Sequence, residues 1–216
     1  MKNMSDALER AWLALWKRVG AQGDAGAVYR DLVARYSEAG RAYHTLDHIQ
    51  ACLAELAGVP DGSLDRDALE FALWFHDAIY DTHAHDNEER SAALAQEVGR
   101  SAGLSDAFGA EVAALILTTK HAASPIASDE QLMVDIDLAI LGKEQSQFDE
   151  YEAQIRREYA WVPAGVFAGA RAKILESFLA RPAIYSTPIF RDKYEAQARR
   201  NLAHSIARLA ATPDAT

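Results

Sequence analysis

The chain has one cysteine, Cys52, in 216 residues, so no disulfide can close within it and a reducing compartment fits. It also lacks any uninterrupted apolar run of membrane-spanning length. Asp6, Glu9, Arg10, Lys17 and Arg18 break up the N-terminal stretch, which therefore has no signal-peptide core; the cytoplasm is the expected location. Positive charge is short too. Against 32 acidic residues there are 22 Lys and Arg, a formal net charge of -10, which argues against a large nucleic-acid surface but leaves room for a local basic pocket for a small anion. No stretch alternates as a strand does, and there is no repeat or low-complexity segment. What is present is ordinary for a globular protein: half the residues are hydrophobic and a quarter charged, enough for a sizeable core. Nothing marks a break, so one domain over residues 1–216 is expected.

The apolar residues recur at three-and-four spacing, which predicts helices throughout. Leu8, Trp12, Leu15, Trp16 and Val19 make one stripe over Met4 to Val19, stopped by Gly20 and Gly23. Val28, Leu32, Val33 and Tyr36 make the next, over Asp24 to Ala39. Between Arg41 and Leu56, Leu46, Ile49, Leu53 and Leu56 form a stripe with His44 and His48 one helical turn apart at its edge. A turn at Gly58 to Gly62 precedes a helix over Leu64 to Tyr80, in which His76 takes a place where an apolar residue belongs. Asp86 with Glu89 has the pattern of a capped helix start. Helices follow over Glu88 to Gly99 and Asp106 to His121, with Ser124-Pro125 as a break, then over Asp129 to Leu141, Gln145 to Tyr159, Ala164 to Ala180 and Pro188 to Ala210. The fold class is all-α.

Four polar residues intrude on these apolar faces: His48, the adjacent His76 and Asp77, and Asp137. Each alone has a plain explanation, as a hydrogen-bonded core histidine or a helix-end carboxylate. Together they are harder to explain, because burying an unpaired carboxylate or imidazole is costly and a shared cation removes the cost. Two imidazoles and two carboxylates suit one divalent ion (Mn, Mg, Ni, Fe, Co or Zn) with positions open for water and a phosphate oxygen. Asp135 competes with Asp137 for the distal place.

In this order the residues resemble the HD superfamily of metal-dependent phosphohydrolases, whose signature is a histidine, a His-Asp pair about thirty residues later and a distal aspartate. The stretches similar to one compact bacterial branch are Arg41 to Ile49 (RAYHTLDHI), Trp74 to Tyr80 (WFHDAIY), Asp86 to Ala92 (DNEERSA), Asp135 to Gly142 (DIDLAILG), Ile155 to Tyr159 (IRREY) and Arg171. The resemblance implies a single HD-type helical bundle of roughly nine or ten helices. It further implies His48, His76, Asp77 and Asp137 as metal ligands, and an acid just downstream, Asp81, Glu88 or Glu89, as base beside Asp77. Lys120, Arg41, Arg156 and Arg171 are the cations expected to meet phosphate. His44 is expected behind the ligands or on the phosphate, and His121 near the same centre. Extra histidines for a second metal are few: His83 and His85 lie in a short loop, so one ion is favoured.

The implied activity is hydrolysis of a small phosphorylated substrate, a phosphomonoester or nucleotide, by a metal-activated water. A non-catalytic HD module that binds a nucleotide as sensor or scaffold is the alternative, and an HD-type di-iron oxygenase a weaker one. No membrane partner is expected, and a homodimer is left open.

Overall fold

The structure is a computed structural model that describes residues 2–60, 62, 64–121 and 125–211, with side chains from residue 6 onward. The expected turn residue Asp61 and break residue Ser124 lie outside the described residues. Among those described there are ten α-helices, one 3-10 helix and no strand. The all-α expectation is met. The chain falls into two compact units, Met1–Met133 and Val134–Thr216, and the boundary lies inside the seventh helix.

In the first unit the helices are α1 (Lys2–Arg18), α2 (Ala25–Tyr36), α3 (Leu46–Ala57), α4 (Arg66–Phe75), α5 (Asn87–Ser101) and α6 (Asp106–Thr118). Four of these helices start at side chains that accept otherwise unpaired first-turn amides. Asp24 takes the amide of Ala27, Thr45 that of Asp47, Asp65 that of Ala68 and Ser105 that of Phe108. α4 is the central element and packs on α1, α3, α5 and α6. From Ala68 to His76 all its residues except Glu70 are buried. An aromatic cluster fixes it: Trp12 of α1 packs on Phe71, Trp74 and Phe75 with ring centres 5.6–5.9 Å apart. Each of these side chains contributes roughly 1.5–3 kcal/mol by burial. The Trp12 indole N–H also donates to the Ala25 carbonyl, tying α1 to the start of α2.

The helices form where the stripes predict, but several ends differ. Residues 41–45 are not helical, so His44 lies in a loop before α3 and does not share a helix face with His48. The physical cause is Arg41, which bonds the His44 carbonyl, and Thr45, which caps α3. α4 stops at Phe75 and not Tyr80, because the next carbonyls are captured from outside the helix, as described below. α6 stops at Thr118, short of His121, whose φ of +53° places it in the left-handed region that non-glycine residues avoid.

α7 (Ser128–Asp137) runs into a 3-10 helix, Leu138–Gly142, where a continuous helix to Leu141 is expected. In the second unit, α8 (Gln145–Glu158), α9 (Ala164–Leu179) and α10 (Pro188–Ala210) follow, and α10 packs on the other two and on the 3-10 helix. The approach at Gly142 is so close that a Cβ there would meet the Tyr194 side chain and backbone. Asn201 of α10 donates to the carbonyls of Leu141 and Lys143, 2.8 Å each, and fixes the 3-10 segment from the other side. Thr187-Pro188 begins α10 as the break predicts, with proline at the first turn, where no amide donor is needed.

Candidate metal centre

The site grows out of the way α4 ends. His76 still gives its amide to the Ala72 carbonyl, but after it the backbone turns away. The carbonyl of Asp77 accepts from Arg41 Nη1 at 2.6 Å and that of Ala78 from Arg41 Nη2 at 3.2 Å. Ser91, fully buried on α5, donates to the Ile79 carbonyl and accepts the Ile79 amide. Tyr36 of α2 donates to the Trp74 carbonyl at 3.0 Å. Three side chains from three segments therefore hold the turn that carries His76 and Asp77.

His48 reaches the same place from α3. Its Nε2 stands 3.1 Å from His76 Nε2 and 3.5 Å from Asp77 Oδ2, and His76 Nε2 stands 3.0 Å from the same Oδ2. Both histidines are buried. His76 Nδ1 lies 2.9 Å from the Leu73 carbonyl, which can only accept, so Nδ1 carries a proton and Nε2 is the nitrogen turned toward His48 and Asp77, donating to Asp77 when protonated and offering a lone pair to an ion when not. A proton on Nε2 would serve one of the two neighbours, whereas a cation serves all three groups. Two ligands about 2.1 Å from an ion stand about 3.0 Å apart at a right angle and about 3.4 Å apart at the tetrahedral angle. Two of the three observed separations, 3.0 and 3.1 Å, fall in that range, and the third, 3.5 Å, lies just above it. Cys52, one turn after His48, brings its sulfur within 3.7 Å of His48 Nε2, and one ligand atom each from His48, Cys52 and His76 lie within 4.8 Å of one another. The cluster is capable of binding a metal ion.

Aromatic rings pack around it. Tyr43 lies on His48 with centres 4.8 Å apart, and His44 stacks on Tyr80 at 4.1 Å. Burial alone would push the Asp77 carboxyl up, but His76, then His44 and His48, together with the hydrogen bond from His76, hold it below its ordinary range. Tyr36 is shifted the other way: burial and the nearby Asp77 charge raise its phenol well above the usual value, so it stays a donor.

Several of the other residues singled out in the sequence have partners of their own. Arg41 has a buried side chain whose donors go to carbonyls and Glu38, and it lies over the rings of Tyr36 and Tyr80. Asp81 accepts the His83 amide in the loop before α5. Asp86 occupies the cap position of α5 but makes no capping bond, and Glu89, expected as its reciprocal partner, pairs with Lys120 instead. That pairing lowers the Glu89 carboxyl and raises the Lys120 amine. Glu88 is half-buried on the first turn of α5; His83 and His85 are exposed, and His121 is half-buried.

In the second unit Arg156 donates to the carbonyls of Tyr159 and Val162 at the end of α8. Arg171 is buried against Glu152 and Tyr151. Asp135 is fully buried with both oxygens taken: Oδ1 accepts the Ser186 amide, and Oδ2 accepts the amide and hydroxyl of Thr187. Burial outweighs these bonds and raises its carboxyl. Asp137 ends α7 half-buried, and its charge adds to the burial that raises the Tyr151 phenol.

Sequence reasoning passes over Cys52, Tyr36 and Ser91. Cys52 had a usable signal, four residues after His48 on one helix face. Comparison with protein-family models, with curated proteins and with solved structures finds no match.

Proposed function

We propose that the protein is a metal-dependent phosphohydrolase acting on a small phosphomonoester or nucleotide. The observation that carries this reading is the triangle of His48 Nε2, His76 Nε2 and Asp77 Oδ2, with sides of 3.0, 3.1 and 3.5 Å. The resemblance to HD phosphohydrolases points the same way. A divalent ion, when bound, supplies positive charge for the phosphoryl oxygens and lowers the pKa of a water. The imidazoles orient it: the Leu73 carbonyl fixes the His76 ring so that Nε2 is always presented. Asp77 contributes a carboxylate that stays ionised. Asp137 is the better of the two distal acids, because Asp135 is committed to the start of α10. Of the acids considered as base, Glu88 is the first to test, since Glu89 is paired with Lys120 and Asp81 closes a loop.

Arg41, Arg156 and Arg171 fit a positioning role better than a phosphate contact, which leaves Lys120, His44 and His121 as the groups to meet substrate. Lys120 itself pairs with Glu89, and the commitment of these four cations to partners within the protein favours the second reading, a metal-holding module that binds a nucleotide without turning it over. Protein purified without chelator is assayed for metal content and for hydrolysis of nucleotides and simple phosphoesters with Mn, Mg, Ni, Co and Zn. Turnover that Asp77→Ala abolishes supports the enzyme. Metal and tight nucleotide binding with no turnover supports the module, and absence of metal overturns both.

A further inference from the structure

A groove of about 430 Å³ opens between α1, α3 and α4, and no residue of the metal centre lines it. Its volume falls in the range of small-molecule sites. Ala11 of α1 with Leu53, Leu56 and Ala57 of α3 makes the apolar part of its lining. The rest is charged, and its acceptors outnumber its donors. Arg18 gives Nε to Asp67 Oδ1 at 2.9 Å and Nη2 to Glu70 Oε2 at 2.5 Å. Among the described residues, no donor reaches the other two oxygens, Asp67 Oδ2 and Glu70 Oε1. Arg66 gives Nη1 to the Val59 carbonyl and Nη2 to that of Leu56, so its charge is set against the negative end of the α3 dipole. One guanidinium is thus shared by two carboxylates. The Glu70 side chain is 18% exposed against 46% for Arg18, so water serves the arginine better than it serves the second glutamate oxygen. Burial pushes the Glu70 carboxyl up in spite of both arginines.

We infer that this groove binds a small organic cation, a primary ammonium group carried on a short apolar chain. The ammonium donates to Glu70 Oε1 and Asp67 Oδ2 beside Arg18, which keeps its own two bonds, and the chain lies on Leu53, Leu56 and Ala57. Two cations then face two carboxylates. An anion on the same chain would meet Arg18 but would set its charge against both acids, and a neutral chain would leave Glu70 Oε1 without a donor. The net charge of -10 on the whole chain favours the same sign of ligand. This site stands apart from the metal reading, because nothing in it uses His48, His76 or Asp77.

The test titrates the full chain, labelled with nitrogen-15, with hexylammonium chloride, and with hexanoate and hexanol as comparison ligands, reading amide chemical shifts. Hexylammonium is expected to give saturable shifts in the C-terminal half of α3 and the first turns of α4. It is expected to bind at least about tenfold more tightly than either comparison ligand, the worth of a charge-assisted hydrogen bond. Glu70→Gln keeps the shape and removes the charge, so it weakens hexylammonium by about tenfold and leaves hexanol as it was. Leu53→Trp fills the groove and abolishes the shifts. Hexanoate bound as tightly as hexylammonium overturns the inference in favour of an anion site at Arg18. Equal binding of hexanol overturns it by showing apolar contact without recognition of charge. No saturable shift up to about 10 mM ligand overturns the site altogether. The three ligands on wild type decide between these outcomes even if a variant folds poorly.

Discussion

Both units bury charged or strongly polar side chains among apolar helices, yet they satisfy them differently. In the second unit each has a complementary partner: Asp135 meets Ser186 and Thr187, Arg171 meets Glu152 and Tyr151, and Ser205 donates to the second Glu152 oxygen. Such sets specify packing, with acceptors placed against donors. In the first unit Ser91 is satisfied in the same way, but at the end of α4 groups of one kind meet. Two imidazole nitrogens and a carboxylate oxygen, all able to give an electron pair to a cation, converge within 3.0–3.5 Å. Buried polarity alone does not mark a binding centre; convergence of like polarity does.

This contrast predicts a graded series of effects. The largest is expected for His76→Ala, which removes the metal and with it both turnover and the rise in Tm that added metal gives. Metal analysis and melting curves with and without zinc measure this, and an unchanged metal content breaks the contrast. Arg171→Ala strands Glu152 in the second unit and costs about 3–5 kcal/mol in urea unfolding. Asp135→Asn removes charge-assisted bonds at the start of α10 and costs about 1–3 kcal/mol while leaving metal content intact. Asp137→Asn is expected to do the reverse, so the pair of variants tells the two aspartates apart. Tyr36→Phe leaves the Trp74 carbonyl unpaired and costs about 1 kcal/mol, with metal affinity lowered because the turn bearing His76 loosens.

The smallest effect concerns acid. Asp77 has a folded pKa depressed below its ordinary 3.8, so it binds a proton less readily folded than unfolded. Its contribution is then complete above that ordinary value and is lost as pH falls through and below it. Unfolding midpoints of metal-free wild type and Asp77→Asn are expected to converge toward acid; curves that stay parallel down to pH 3 would contradict this assignment.

The helices were legible because their apolar stripes are local. Their ends were not, since what ends α4 is a guanidinium 36 residues earlier in the chain and a serine 12 residues later. His48, His76 and Asp77 stood out as polar intrusions, and the structure brings them together. Asp135 stood out equally, but its partners lie 51 and 52 residues away, and no spacing rule distinguishes a carboxylate that caps a distant helix from one that awaits a cation. Cys52 escaped notice for a different reason: a thiol on an apolar face passes as a small hydrophobe. The cationic residues illustrate the same limit, because an arginine that wraps carbonyls and one that meets phosphate have the same letter.

The grip of Arg41 on the Asp77 and Ala78 carbonyls has a kinetic side. It closes a long loop that contains both His48 and His76. A metal ion then finds its ligands in the folded unit and not in the extended chain. Added zinc is expected to slow unfolding and to leave the refolding rate nearly unchanged, so that the ion acts as a latch on a finished fold and not as the seed of an unfinished one.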